Sequence, residues 1–350
     1  MPIHTLTLGK EPLKKKHYRL IKDTLFGLNQ SKEAEIDYYK KHYLQARLPT
    51  LRGITLKLSN KIVPRLELTL NPAIMLGGNY SELCDLTDEK LSKIFYSAAC
   101  LLATVGANFS VSSMSLTRLD CTKDVTLHGD SSVEDVIGCL KRNRLGRGYE
   151  LVTFAPTCPN SVEKNRHSFR AACKDVSLTV YDKSFQLNEE GLMAPEDIPQ
   201  NRMRVEVAFE NASFQRVLRD HLEATVLDLS LEEKIMYFSN LSVKLIQQYL
   251  RIVVMPGRFM RYDAAKAEIE KSRYSPAVKE SMVWLLKKVR RHYKAGLDGV
   301  IQGCKLTRGQ LDYLLKCFRD LDLNPVSLPT SSQNLEFPSI DRMLEERLPV

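Results

Sequence analysis

The sequence predicts an α+β fold, in which an antiparallel sheet forms the first part of the chain and an all-helical region follows it. Up to about residue 210, segments with apolar side chains at every second position occur between helical segments. Beyond Asn211, apolar side chains recur at helical spacing only. We therefore predict an α+β domain over residues 1–215, a helical domain over 216–322 and an extended tail over 323–350.

The net charge and the composition of the chain indicate which kinds of partner it binds and where in the cell it is located. The 350 residues carry a net charge of +9, which favours an anionic partner such as nucleic acid. No apolar run approaches the roughly 20 residues that span a bilayer, and the first residues do not resemble a secretion signal. We therefore expect no membrane partner and a cytoplasmic location.

Eight cysteines form no Cys-x-x-Cys pair and seven histidines form no close pair, so any metal ion is expected to be held by carboxylates.

The individual elements follow from spacing and turn chemistry. Residues 3–8 alternate as a short strand, and residues 31–45 read as a helix. Residues 51–58 and 62–70 predict a hairpin, with Pro64 delaying the start of its second strand. The remaining predicted elements are helices over 87–106 and 131–140, strands over 114–127, 168–172, 176–183 and 202–210, and helices over 230–251, 275–296 and 307–321.

The strand over 114–127 carries an unusual set of charges. At a period of two, Leu119 lies on one face, while Arg118, Asp120 and Asp124 share the other. Buried charges cost several kcal/mol unless they are paired or bound to a metal. The strand therefore has either a solvated outer face with an Arg–Asp pair or a functional one.

Two further strands carry functional side chains in the same phase. The strand over 176–183 offers Tyr181 and Lys183, and the strand over 202–210 offers Arg204 and Glu206. If these faces coincide with that of Asp120, carboxylates, a tyrosine and a lysine meet on one sheet surface. Carboxylates suit Mg²⁺ or Mn²⁺, and a tyrosine beside such an ion is a candidate nucleophile on a phosphodiester. Packing or a structural cross-strand pair would explain each residue singly.

Two basic regions are candidates for contact with a phosphate backbone, and a solvated surface is the alternative for each. The residues are Lys141, Arg142, Arg144 and Arg147 in the first region, and Lys287, Lys288, Arg290 and Arg291 in the second. The helices over 275–296 and 307–321 could form a helix-turn-helix pair, but several residues separate them, which favours a small helical bundle.

Motifs on the three strands resemble those of rolling-circle replication initiators, namely the plasmid initiators of the Rep_trans type and the gene II-like replication proteins of phages. Residues 117–120, Thr-Arg-Leu-Asp, followed by Asp124, resemble their "TRID…D" strand. Residues 180–183, Val-Tyr-Asp-Lys, resemble "xYDK", and residues 204–207, Arg-Val-Glu-Val, resemble "lRxE". Residues 65–79 are similar to a segment that reads E-x-S…L-x-G-H-N in phage members, although Gly78 stands where those have histidine.

The resemblance implies a nickase-like catalytic domain that cuts one DNA strand at a replication origin. Tyr181 would form a 5′-phosphotyrosyl link and leave a 3′-hydroxyl for a host polymerase, with a helicase as a further partner. Asp120 and Glu206 would hold Mg²⁺ or Mn²⁺, with Asp124 as a third candidate ligand. Lys183 and Arg118 would bind phosphate or neutralise charge.

Two other functions fit the same residues. A conjugative or mobilisation relaxase uses the same tyrosine chemistry at a transfer origin. A DNA-binding regulator without catalysis would read DNA with the helical domain, and its α+β domain would be structural.

Overall fold

The computed structural model describes residues 2–127, 132–210, 212–221, 229–292, 296–304 and 306–344. These residues form an α+β fold with a large sheet whose registered strand pairs are antiparallel, so the predicted fold class is confirmed. Among them, no helix combines the length and the apolar character needed to cross a membrane.

The elements of the described residues are numbered in chain order. The strands are β1 (Pro2–Lys10), β2 (Glu35–Lys40), β3 (Tyr43–Arg47), β4 (Ile54–Ser59), β5 (Arg65–Leu70), β6 (Cys84–Asp85), β7 (Ser115–Thr126), β8 (Glu150–Leu151), β9 (Ser168–Ala172), β10 (Val176–Asp182), β11 (Arg202–Glu210), β12 (Phe259–Met260) and β13 (Glu336–Phe337). The helices are α1 (Lys15–Gln30), α2 (Pro72–Met75), α3 (Asp88–Thr104), α4 (Val133–Arg142), α5 (Ser161–Arg166), α6 (Lys183–Glu189), α7 (Ala212–His221), α8 (Leu231–Val253), α9 (Tyr262–Lys271), α10 (Pro276–Arg291), α11 (Gly296–Gln302), α12 (Arg308–Asp320) and α13 (Ile340–Met343).

The chain divides into two compact units. Unit 1 comprises Met1–Thr122 and Val207–Val243, and unit 2 comprises Lys123–Glu206 and Lys244–Val350. The division falls inside β7 and inside β11, so each of these continuous strands belongs to both units. The boundaries predicted at residues 215 and 322 stay predictions.

In unit 1 the strand order is β2-β3-β4-β5-β1-β7, and β6 pairs with β1. Alternation explains the core, because Leu66, Leu68 and Leu70 of β5 are fully buried. Leu68 and Leu70 lie opposite Leu8 and Leu6 of β1, which are buried as well. The predicted hairpin is present as β4 and β5, and β5 begins only after Pro64.

One helix prediction in unit 1 is wrong. Residues 31–45 hold the hairpin of β2 and β3, joined by Lys41 and His42, while the helix α1 lies before them over Lys15–Gln30. The charged residues of this segment suggested a helix, but the hairpin gives its aromatic and apolar residues cross-strand partners, such as Leu44 opposite Tyr39. Tertiary pairing therefore overrides the local preference.

In unit 2 the strand order is β11-β10-β9-β8. Val180, Leu178 and Phe169 are fully buried on one face, against which α4 packs. Helices α9, α11 and α12 all pack on α10, as expected of a small helical bundle, and α11 lies between α10 and α12 along the chain. The predicted tail runs through this unit with buried side chains, including Leu323, Val326 and Leu328.

Arg142 shows how the tail is anchored. Its guanidinium is buried at the end of α4 and donates hydrogen bonds to the carbonyls of Gly138 and Ser327. A bridge between Arg258 and Leu323 holds the tail at another point, beside Gly257. The tail is therefore a packed component of unit 2 over its described residues.

Replacing Gly257 with alanine should destabilise unit 2. Gly257 has φ of +125°, and an added Cβ would lie 2.6 Å from the backbone carbonyl of Leu323. We expect a loss of roughly 2–4 kcal/mol in the free energy of unfolding, measured in urea. Gly148→Ala is the matched control, because Gly148 has φ of +84° but no atom within 4 Å. Equal losses in the two variants would mean that the close approach of the tail contributes nothing.

Candidate functional site

Asp120 lies on β7 with its carboxylate almost completely buried. Its residue is 5% exposed, and it stands opposite Thr5 of β1. Arg118 donates from Nε to Asp120 Oδ1 at 2.9 Å and from Nη1 to Glu210 Oε1 at 2.6 Å. The predicted Arg–Asp pair therefore exists, but it does not lie on a solvated face, because a carboxylate buried to this degree has lost most of its hydration.

Tyr181 and Glu206 are joined directly. The phenol at the end of β10 donates a hydrogen bond to Glu206 Oε1 on β11 at 2.8 Å. The alternation of each strand places these side chains on the face opposite the buried Val180 and Val205, as the sequence suggested. The phenol of Tyr181 is thus held against a carboxylate that could also bind a cation.

Arg204 and Asp124 form a bidentate ion pair next to that hydrogen bond. Arg204 is completely buried, and its Nε and Nη2 donate to the two oxygens of Asp124 at 2.6 and 2.8 Å. Two charge-assisted hydrogen bonds in this geometry are strong and directional. Because both oxygens of Asp124 accept from Arg204, this carboxylate has a structural partner that the sequence did not reveal.

Burial and charge set the proton affinity of the tyrosine. The pKa of Tyr181 is raised well above its usual value, mainly by burial and next by the negative charge of Glu206, while Arg204 lowers it in part. The phenol is therefore neutral at neutral pH. Neutralisation of the Glu206 charge would remove one of the causes that raise the pKa of Tyr181.

Lys183 lies beside the tyrosine and is nearly inaccessible to solvent. It is the first residue of α6, and its Nζ donates to Gln186 Oε1 at 2.8 Å and lies 6.0 Å from the centroid of the Tyr181 ring. Burial lowers the pKa of Lys183 to about 8. The amine is therefore mainly protonated at pH 7 and loses its proton around pH 8.

The described residues contain one group that could hold a metal ion. His4, Asp120 and Glu206 each offer a ligand atom, and these atoms all lie within 4.8 Å of one another. Sequence reasoning did not identify His4, because a register shift between Ile3 and Thr5 interrupts the alternation of β1. A β-bulge of this kind re-aims a side chain, and it leaves no signal in a simple period of two.

The four residues of the first basic region differ in exposure and in their partners. Arg142 is buried and anchors the tail, so it is not a surface contact. Arg147 is exposed, and Arg144 lies 3.9 Å from each of Asp298 and Asp312. The side chain of Lys141 is half-buried, and burial lowers its pKa to about 8.

In the second basic region the four cations also differ. The guanidinium of Arg290 lies 4.8 Å from the centroid of the Tyr262 ring, which gives it a cation–π partner within unit 2. Lys287 and Arg291 are exposed and Lys288 is half-buried. Contact of any of them with DNA stays a prediction.

Replacing Lys183 with methionine should change the pH dependence of stability. The folded chain holds the Lys183 proton less tightly than the unfolded chain, whose lysine pKa is about 10.4, so the unfolded chain binds more protons between pH 8 and that value. The stability of the natural protein should therefore rise with pH in this window relative to Lys183→Met, by about 2–3 kcal/mol. Urea unfolding at pH 7 and at pH 10 measures this difference, with Lys174→Met, an exposed lysine of unit 2, as the control for the loss of one charge. A pH-independent difference would contradict the expectation.

Comparisons with known proteins add little to this geometry. No protein-family model matches the chain, and no curated protein matches it. A solved structure of a rolling circle replication initiator protein from Geobacillus stearothermophilus is similar over 93% of this chain and 98% of that chain, at 11% sequence identity and a TM-score of 0.32. At that TM-score the likeness carries no argument about the activity of this chain.

Proposed function

We propose that this protein initiates rolling-circle DNA replication by nicking one strand with Tyr181 as the nucleophile, aided by a divalent metal ion. The observation that carries the proposal is the hydrogen bond from Tyr181 to Glu206, within a group that also includes Asp120 and His4. The ordered motifs on β7, β10 and β11 support it. A non-catalytic regulator would not require a phenol, two carboxylates and an imidazole to meet in one place.

The chemistry of the donors fits a divalent cation. Asp120 and Glu206 provide hard oxygen donors and His4 provides an imidazole nitrogen. Mg²⁺ prefers oxygen donors, whereas imidazole suits transition metals, so this mixed set favours Mn²⁺ over Mg²⁺. Asp124 is left out of the proposed ligands because Arg204 occupies both of its oxygens. When bound, the cation would neutralise Glu206 and polarise a phosphoryl oxygen.

The residues of the chain then have distinct tasks. Tyr181 Oη attacks the phosphorus, forming the tyrosyl–phosphate bond, and the bond from phosphorus to the 3′-oxygen breaks. Glu206 Oε1 already accepts the phenol hydrogen bond, so it is placed to take the phenol proton. That proton would then pass through water to the departing 3′-oxygen, which becomes a 3′-hydroxyl. A host polymerase could extend this hydroxyl.

Two cations would assist this step. Lys183, near the Tyr181 ring, would stabilise the charge that develops on the phosphate. Arg118 orients Asp120 through its Nε and is partly exposed, so its positive charge would help to attract a phosphate to the site. A relaxase acting at a transfer origin would use the same residues, and the two functions differ only in the DNA that is cut.

Replacing Tyr181 with phenylalanine should abolish nicking and the covalent adduct. The variant removes only the hydroxyl, so the fold should persist while the nucleophile is lost. We would incubate the protein with supercoiled and single-stranded origin DNA and Mn²⁺, and detect the adduct by denaturing electrophoresis with labelled DNA. Tyr96→Phe is the control, since Tyr96 is 73% exposed on α3 and should retain full activity. An adduct that persists in Tyr181→Phe would refute the assignment of the nucleophile.

Binding of Mn²⁺ should depend on the proposed ligands, independently of activity. Calorimetry of the DNA-free protein should show that Glu206→Gln and Asp120→Asn each weaken Mn²⁺ binding by at least about tenfold, as expected for the loss of a charged ligand. Glu210→Gln is the matched control, because it removes the same charge next to Arg118 from a residue outside the proposed set. Equal weakening in Glu210→Gln would indicate a general effect of charge and would refute the ligand assignment.

A further inference from the structure

One face of α10 combines an exposed tryptophan with exposed cations. Trp284, the single tryptophan of the chain, is 37% exposed. Lys287 and Arg291 are exposed at positions three and seven residues later, which the 3.6-residue period places on the same face as Trp284. The opposite face holds the buried residues Met282, Leu285, Leu286 and Val289.

These cations are available for a ligand. Within the described residues, no ion pair involves Lys287, Lys288 or Arg291, although many other surface lysines and arginines of the chain pair with carboxylates. Their neighbour Arg290 points to a different environment, over the ring of Tyr262. The face therefore presents unneutralised positive charge around an aromatic ring.

A purely structural role explains only part of this pattern. Cations in the last turn of a helix stabilise its dipole by about 0.3–1 kcal/mol each, which accounts for Lys288 and Arg291. The helix dipole does not explain why Trp284 is partly exposed, since a tryptophan that is not fully buried loses part of the free energy that its burial would contribute. An exposed tryptophan ring favours contact with a flat, apolar group, and the two cations favour a negatively charged group beside it.

We propose that this face of α10 binds single-stranded DNA, with Trp284 stacking on an unpaired base and Lys287 and Arg291 contacting the backbone. Stacking of a base on an aromatic side chain contributes about 1–3 kcal/mol, and duplex bases are not free to stack in this way. A rise of about 1.5 Å per residue spaces Trp284 and Arg291 by roughly 10 Å. That distance corresponds to about three nucleotides at 3.4 Å per step. The inference rests on the proposed function in taking DNA as the partner.

Fluorescence of Trp284 tests the proposal directly, because no other tryptophan contributes to the signal. Titration of the full-length protein with a short oligothymidylate, without divalent metal, should quench this fluorescence in a saturable manner. A duplex and anionic phospholipid vesicles at the same phosphate concentration should quench it weakly. Absence of quenching, or equal quenching by the duplex or the vesicles, would overturn the assignment to single-stranded DNA.

Charge variants identify the contacting residues. The double variant Lys287→Gln/Arg291→Gln should raise the Kd for the oligothymidylate about tenfold at low salt and reduce the slope of log K against log salt by about 1.4, as expected for two lost phosphate contacts on a single strand. Lys266→Gln/Lys271→Gln removes the same charge from the neighbouring helix α9, where both lysines pair with glutamates. An equal loss of affinity in the two double variants would mean that net charge, rather than this face, governs binding.

The outcome is separable from that of the nicking proposal. Tyr181→Phe should retain the full quenching by oligothymidylate, because the binding requires neither the nucleophile nor a metal. Quenching without nicking by the natural protein would leave the α10 face supported and refute the proposed enzyme. Nicking without quenching would do the reverse.

Discussion

The buried ion pair between Arg204 and Asp124 is the constraint on which the candidate site depends. Arg204 is completely buried, and its charge is compensated by both oxygens of Asp124, which accept its hydrogen bonds. Arg204 and Glu206 are alternate residues of β11 and share a face, so the pair that fixes Arg204 also fixes where Glu206 points. The hydrogen bond from Tyr181 follows from that placement.

The elements that were predictable from sequence are those whose signal is local. Alternation along β7, β10 and β11 and the capping box at Thr307 act within a few residues, and they predicted these strands and the start of α12 closely. The segment over residues 15–45 was not predictable in the same way, because its hairpin is stabilised by partners on other strands. The charge and polarity of the segment itself do not indicate which strands it pairs with.

The candidate site shows the same limit. The phases of Tyr181 and Glu206 could be read from alternation, but their partners could not. His4 depends on an irregularity in β1, and the burial of Arg142 depends on a tail nearly two hundred residues away, whose Ser327 carbonyl accepts from it. Short-range patterns identify which face a residue occupies, and long-range packing determines whether that face meets solvent, a counter-ion or a tail.

The tail has a consequence for how the protein is made. Unit 2 holds Tyr181 and Glu206, yet it is assembled from two segments separated by part of unit 1, and its C-terminal segment includes Ser327 and Leu344, whose carbonyls accept hydrogen bonds from Arg142 and Lys123. Synthesis proceeds from the amino terminus, so unit 2 lacks these contacts until residues 327 to 344 have left the ribosome. A chain that stops before residue 327 would therefore hold Tyr181 and Glu206 in a unit that lacks both of these contacts.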